Sequence, residues 1–221
     1  FTQHPMPRPP GRKRAQDGVG SVYPALVWNH LIQSMPMTVA SPAAGRIGIQ
    51  YDHPFHGANP MTLQSDLVED FGRNTRLLAR HLDGLSHADA LIRPNGTGNC
   101  INYILGHMLL CRLEMLEMLG QPATVSGETL ARYGNDVEPV GPDSTDIHSL
   151  EQLKEWWGSV DEQFSAAIQN ASDETMLGII NTGRREMPLH RRLHFYFFHE
   201  AFHLGQLEIL RHLAGKTEAL I

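Results

Sequence analysis

The sequence predicts an all-α protein built as a four-helix bundle, and three observations carry that prediction. Apolar residues recur at three- and four-residue steps in four separate segments after residue 60, whereas the alternation typical of strands is scarce. A chain of 221 residues is long enough for one such domain and an extension. A long Gly- and Pro-rich connection, residues 120–147, separates the second segment from the third and indicates a crossover between them.

Residues 1–60 predict a Pro/Gly-rich extension that is largely irregular. They contain nine of the 14 prolines, which interrupt helices, and their five basic and two acidic residues give a net charge of +3. Residues 61–221, with 13 basic and 22 acidic residues, have a net charge of −9 and form the predicted bundle domain. The extension is expected to be disordered or not native, with Met61 as the natural start. A secretory signal over residues 19–35 is the weaker alternative, because Pro24 interrupts its apolar core.

The first predicted helix begins near Met61 and ends before Pro94. Its apolar positions follow helical spacing and are Leu63, Leu67, Phe71, Leu78 and Leu82. The second predicted helix runs from about Asn99 to Leu119, and its broad apolar face predicts that it is largely buried. Gly120 supplies its stop signal.

The third and fourth helices have recognisable ends. The third begins at Ser149, whose spacing to Gln152 matches a capping box. The fourth begins near Pro188, a residue favoured in the first helical turn, and runs to Ala214 with Gly215 as its terminator.

Composition disfavours several functional classes. No run approaches the about 18 apolar residues of a membrane span, and a net charge of −6 offers no basic footprint for nucleic acid. Two cysteines are too few for a disulfide scaffold, which predicts a reduced, cytoplasmic compartment. Cys100 and Cys111 lie about 16 Å apart along one helix, so they cannot bridge each other. Both are expected to be small buried residues, with a reactive thiol as the minor alternative.

Histidine, with 13 copies, is the residue that points to chemistry. His199 and His203 lie four residues apart on the most apolar stretch of the chain, so both project from one helix face and can share a metal ion. His107, in the apolar second helix, is the predicted third ligand, because facing helices of a bundle bring side chains to one point. Three histidines would hold a divalent metal, zinc, nickel, cobalt or iron, with one open position. Hydrogen-bonded core histidines are the alternative interpretation.

His190 and His194 have the same spacing, but they are interpreted as a solvated face. Arg191 and Arg192 lie between them, and fixed positive charges disfavour a cation.

The five residues from His199 to His203 also match the HExxH signature of zinc peptidases, in which the glutamate, here Glu200, activates water. Such enzymes commonly take a third ligand from well downstream. Glu208 and Glu218 are the only carboxylates that follow, and the sheet that shapes a peptidase cleft is missing. The peptidase interpretation is therefore the weaker one.

The wider pattern resembles a known family. The string Asn102-Tyr-Ile-Leu-Gly-His107, followed some ninety residues later by a second string from His199 through His203 to Gln206, is similar to the DinB/YfiT-like superfamily of metal-binding four-helix bundles. The resemblance extends in helix order over about residues 61–216 and implies His107, His199 and His203 as ligands. The sequence departs from the commoner family pattern at Leu204 and at residues 99–102, which leaves the subfamily, the metal and the cosubstrate open.

The resemblance implies a metal-dependent S-transferase or hydrolase that activates a low-molecular-weight thiol, or water, against a small-molecule substrate. Gln206 and Asn102 are the predicted cofactor-binding residues around the ligands. Gly205 is expected to permit close approach of a neighbouring element. Glu200 and Glu114 are candidate proton-handling residues, with solvated surface carboxylates as the alternative.

The second class of function is non-catalytic. A metal-stabilised, dimerising bundle with a stress or regulatory role would use the methionines of the second helix, Met108, Met115 and Met118, at a homodimer interface. Core packing is the default interpretation of the same residues.

Overall fold

The computed structural model describes residues 62–218 and residue 220, and it confirms the prediction of an all-α bundle. The six helices of the described residues are α1 (Leu63–Leu82), α2 (His87–Ala90), α3 (Ile101–Met118), α4 (Leu150–Asn170), α5 (Asp173–Leu177) and α6 (Leu189–Leu213). Single 3-10 turns cover Pro94–Gly96 and Ala131–Tyr133. The predicted extension 1–60 and Met61 lie outside the described residues, so the domain boundary stays a prediction.

The helix ends follow the capping chemistry of the sequence. Thr62 forms a reciprocal capping box with Ser65 at the start of α1. At α4, the Gln152 N–H donates to Ser149 Oγ at 3.1 Å, but the Gln152 side-chain amide donates to Glu155 instead. Only half of the predicted box is therefore formed. Pro188 directly precedes α6, and Gly215 follows its end with a φ of +80°, a conformation that favours glycine.

The four long helices pack in a ring that places α3 beside α6. Helix α3 contacts both α4 and α6, and α1 contacts the same two helices. Helix α3 is buried around most of its circumference, as predicted, and Met108 and Met115 are fully buried. The core interpretation of these two methionines is thus confirmed. The connection between α3 and α4 returns across α3, where Tyr133 is completely buried.

The region between α4 and α6 is more regular than the sequence predicts. Besides α5 it contains a two-stranded antiparallel hairpin, β1 (Ile179–Asn181) and β2 (Glu186–Pro188), in which Ile180 pairs with Met187. Strands of three residues are too short to display an alternating pattern. Among the described helices, none combines the length and apolarity needed to cross a bilayer.

Candidate metal centre

The contact between α3 and α6 brings three histidine rings together. The centroid of His107 lies 5.2 Å from those of both His199 and His203, and the latter two are 4.4 Å apart. His107 and His203 are only 8% and 7% exposed, and His199 is partly buried. The structure therefore juxtaposes the three predicted ligands, while their role as ligands stays a prediction.

A hydrogen bond fixes the tautomer of His107. Its Nδ1–H donates to the carbonyl oxygen of Tyr133 at 3.1 Å, because a carbonyl can only accept. Nε2 therefore carries the lone pair, the arrangement that a metal-binding imidazole needs. The Tyr103 ring is stacked against the imidazole at 5.8 Å and limits its rotation.

Asn102 and Gly106, which precede His107 on α3, position Tyr133 against this helix. Asn102 is fully buried, donates to the carbonyl of His148 at 2.9 Å and accepts from the Tyr133 hydroxyl at 3.2 Å. Gly106 leaves room for the Tyr133 ring, since a Cβ at this position would lie 2.3 Å from two of its atoms. Asn102 thus acts on His107 indirectly, through the loop residue that holds the imidazole.

We expect Gly106→Ala to destabilise the protein by about 1–3 kcal/mol, the usual cost of overpacking a filled core. The new methyl group displaces the Tyr133 ring and with it the carbonyl that orients His107. Urea unfolding gives the stability, and metal titration shows a weaker site. Gly158→Ala is the matched control, because a Cβ there meets no atom within 4 Å on a helix of the same bundle. Equal stability of the two variants would contradict the role assigned to Gly106.

His203 and His199 face each other through their Nε2 atoms. The His203 Nδ1–H donates to Gln206 Oε1 at 2.7 Å, which leaves the His203 Nε2 with a lone pair. Gln206, predicted to lie around the ligands, thus contacts one of them. The two Nε2 atoms are 3.1 Å apart, within hydrogen-bond distance as the alternative of hydrogen-bonded core histidines expects. The distance is also close to the about 3.3 Å between two nitrogen ligands of a tetrahedral metal. His199 Nδ1 is buried without a hydrogen-bond partner among the described residues. These donors fit a shared divalent cation.

Burial keeps the three imidazoles neutral. Loss of solvation, reinforced by the other two histidines, lowers the pKa of His199 to about 3. Loss of solvation also lowers the pKa of His203 to about 4 and lowers the pKa of His107. Because a metal binds the neutral imidazole, the rings need lose no proton to bind at neutral pH.

Cys111 is a further donor at this site, and sequence reasoning missed it. Its Sγ lies 3.9 Å from His107 Nε2, and one donor atom each of His107, Cys111 and His199 all fall within 4.8 Å of one another. Burial raises the pKa of the Cys111 thiol. Cys100 and Cys111 are both free and buried, as predicted. The available signal was the spacing, because His107 and Cys111 lie four residues apart, as His199 and His203 do.

A family model described as the DinB superfamily matches residues 70–207, more than half of the chain. The chain belongs to the DinB superfamily. A search of the curated proteins gave no significant match. Membership in the DinB superfamily and the cluster of His107, Cys111 and His199 together fit a metal-binding domain.

In this DinB-superfamily bundle, Glu200 is bound by residues of α1 and α3. It is completely buried, and its carboxylate accepts hydrogen bonds from the Arg112 guanidinium and from Asn74 Nδ2, the latter at 3.2 Å. Burial raises the pKa of Glu200, and Arg112 and Asn74 oppose that rise. The interpretation of Glu200 as a solvated surface carboxylate is wrong. Arg112 donates to both carboxylate oxygens, and the predicted proton-handling role of Glu200 stays a prediction.

Glu114, the other predicted proton-handling residue, is exposed, as the interpretation as a solvated surface carboxylate expects, and it lies at the edge of a pocket. The Tyr196 hydroxyl donates to Glu114 Oε2 at 2.5 Å and accepts from Arg192 at 2.9 Å. The pocket has a volume of about 320 Å³ and is lined by Glu114, Glu117, Met118, Ile180, Asn181, Thr182, Arg192 and Tyr196. The three histidines lie outside this lining, but the Tyr196 ring is 6.3 Å from His199. Tyr196 therefore separates the pocket from the histidine cluster.

Gly205 and the pair His190 and His194 on α6 differ in part from expectation. A Cβ on Gly205 would meet no atom within 4 Å, and the residue is exposed, so the predicted close approach at Gly205 is wrong within the described structure. His194 is exposed, and His190 is partly buried with Nδ1 donating to the Met176 carbonyl at 3.1 Å. The solvated interpretation therefore holds for His194 but not for His190.

Proposed function

We propose that the protein is a metal-dependent enzyme that activates a low-molecular-weight thiol, or water, against a small electrophilic substrate. The observation that carries this proposal is the convergence of His107, His199 and His203, two of which have Nδ1 engaged and Nε2 available. A divalent cation held there would supply Lewis acidity and lower the pKa of a nearby thiol or water. Zinc, nickel, cobalt and iron all suit imidazole ligands.

The pocket beside the cluster supports a role for two side chains. Glu114 accepts a hydrogen bond from the Tyr196 hydroxyl, and because Tyr196 lies between the pocket and the cluster, the proton that the nucleophile loses would reach Glu114 through that hydroxyl. Arg192, which donates to Tyr196 and lines the same pocket, binds an anionic group of the substrate.

The proposal is tested by thiol consumption with and without metal. Protein loaded separately with each of the four metals is mixed with cysteine, glutathione or coenzyme A and a small aryl halide, and the thioether is quantified by mass spectrometry. Hydrolysis of an activated ester in parallel tests water as the nucleophile. We expect at least one metal to support turnover and the chelator-treated protein to support none.

Glu114→Gln separates proton handling from metal binding. It is expected to lower the turnover on the order of 10²-fold, since a positioned base contributes at least that much, while the metal content stays unchanged. Glu117→Gln is the matched control, because Glu117 lines the same pocket without accepting the Tyr196 proton. Turnover that is equal in metal-loaded and chelated protein would contradict the proposed function.

A further inference from the structure

Two pairs of donor side chains face each other across the contact between α3 and α6. His107 and Cys111 lie four residues apart on α3, as His199 and His203 do on α6, so each pair projects from one face of its helix. Three of the four side chains, Cys111 included, offer donor atoms that lie within 4.8 Å of one another. Helix α3 therefore contributes a pair to this contact, although the sequence analysis used only its histidine.

We propose that Cys111 is a metal ligand, so that the centre combines three imidazole nitrogens with one thiolate sulfur. The inference rests on the proposed function, because it concerns the same ion. A sulfur and a nitrogen bound to one tetrahedral metal lie about 3.6 Å apart. Cys111 Sγ and His107 Nε2 are 3.9 Å apart, a difference that a small side-chain rotation removes.

The surroundings of Cys111 favour a role as a metal ligand over a role as a core-packing residue. Cys111 is 6% exposed, and the atom that its sulfur approaches is the lone-pair nitrogen of His107 rather than a hydrocarbon. Cys100 offers the contrast on the same helix. It is completely buried at the start of α3 and lies outside the cluster of donor atoms.

Ligation by Cys111 changes which metal the site selects. Cys111 would bind the ion as a thiolate, with its S–H proton released to solvent. A soft thiolate beside three imidazoles favours zinc or cobalt over the hard ions magnesium and manganese. Thiol activation under the proposed function would then require one of the four ligands to give up its place to the substrate.

Cobalt(II) titration of the full chain tests the proposal with the metal alone. Wild-type protein is expected to show tetrahedral d–d bands together with a sulfur-to-cobalt charge-transfer band in the near ultraviolet. Cys111→Ser is expected to lose the charge-transfer band and to bind zinc on the order of tenfold more weakly or worse. Cys100→Ser, the matched control, is expected to keep both the band and the affinity.

The outcomes distinguish this inference from the proposed function. Cobalt that binds with d–d bands but without a charge-transfer band overturns the role of Cys111 and leaves the three-histidine site standing. Failure of the wild type to bind any of the four metals overturns both proposals. Should Cys111→Ser not fold, X-ray absorption of the zinc-loaded wild type decides the matter. A sulfur shell at about 2.3 Å supports ligation, and a shell of nitrogen and oxygen alone overturns it.

Discussion

Replacing His203 with alanine is expected to weaken metal binding on the order of tenfold or more, because only His107, His199 and Cys111 would remain as ligands. His203 provides one of the two Nε2 atoms that face each other at 3.1 Å, and its Nδ1 is already committed to Gln206. Without this ring the donors on α6 are reduced to His199. Elemental analysis after loading with zinc, nickel, cobalt or iron and extensive dialysis gives the metal content of each protein.

The same variant should lose the stabilisation that metal gives to the wild type. A ligand that binds only the folded state at a hundred times its Kd adds about 2.7 kcal/mol, or roughly 5–10 °C in Tm for a domain of this size. His194→Ala is the matched control, because His194 is an exposed histidine on the same helix and lies outside the cluster. A His203→Ala protein that folds and retains wild-type metal content would refute the assignment.

Helical periodicity is sufficient to place the three histidines. The apolar pattern assigns His107 to one helix and His199 and His203 to another, and four-residue spacing puts the latter pair on one face. Because a bundle core is the only place where such apolar helices can bury their faces, convergence of the rings follows from the fold class. The centroid distances of 4.4–5.2 Å agree with that expectation.

The residues that contact or surround the three histidine rings could not be predicted in the same way. Tyr133 lies in a connection with no periodicity, so nothing in the sequence indicates that its carbonyl reaches His107. Cys111 resembles an ordinary core residue of an apolar helix, and only its spacing from His107 sets it apart. The burial of Glu200 could not be predicted either, because it depends on a charged partner from a different helix, Arg112 on α3.

Replacing Glu200 with alanine is expected to destabilise the bundle by about 3–5 kcal/mol, the usual cost of breaking a buried ion pair. Arg112 is completely buried among three aromatic rings and, within residues 62–218, would keep only Asp161, at 2.9 Å, as a charged partner. Since whole domains are stable by about 5–15 kcal/mol, this loss is a large fraction of the total. Urea unfolding followed by circular dichroism measures it. Glu69→Ala, which breaks an exposed pair with Arg73 on α1, should change the stability little.

The double variant Arg112→Met with Glu200→Leu is expected to be more stable than Glu200→Ala, because removing both charges leaves neither of them buried without a partner. Glu200→Gln addresses chemistry rather than stability. Its side chain keeps the shape of glutamate at a position that contacts Arg112 and Asn74, so the folded fraction should retain both metal and turnover. A folded Glu200→Gln protein that kept its metal but lost turnover would identify Glu200 as a proton-handling residue, because loss of the ion pair alone cannot selectively abolish catalysis. That result would favour the HExxH interpretation.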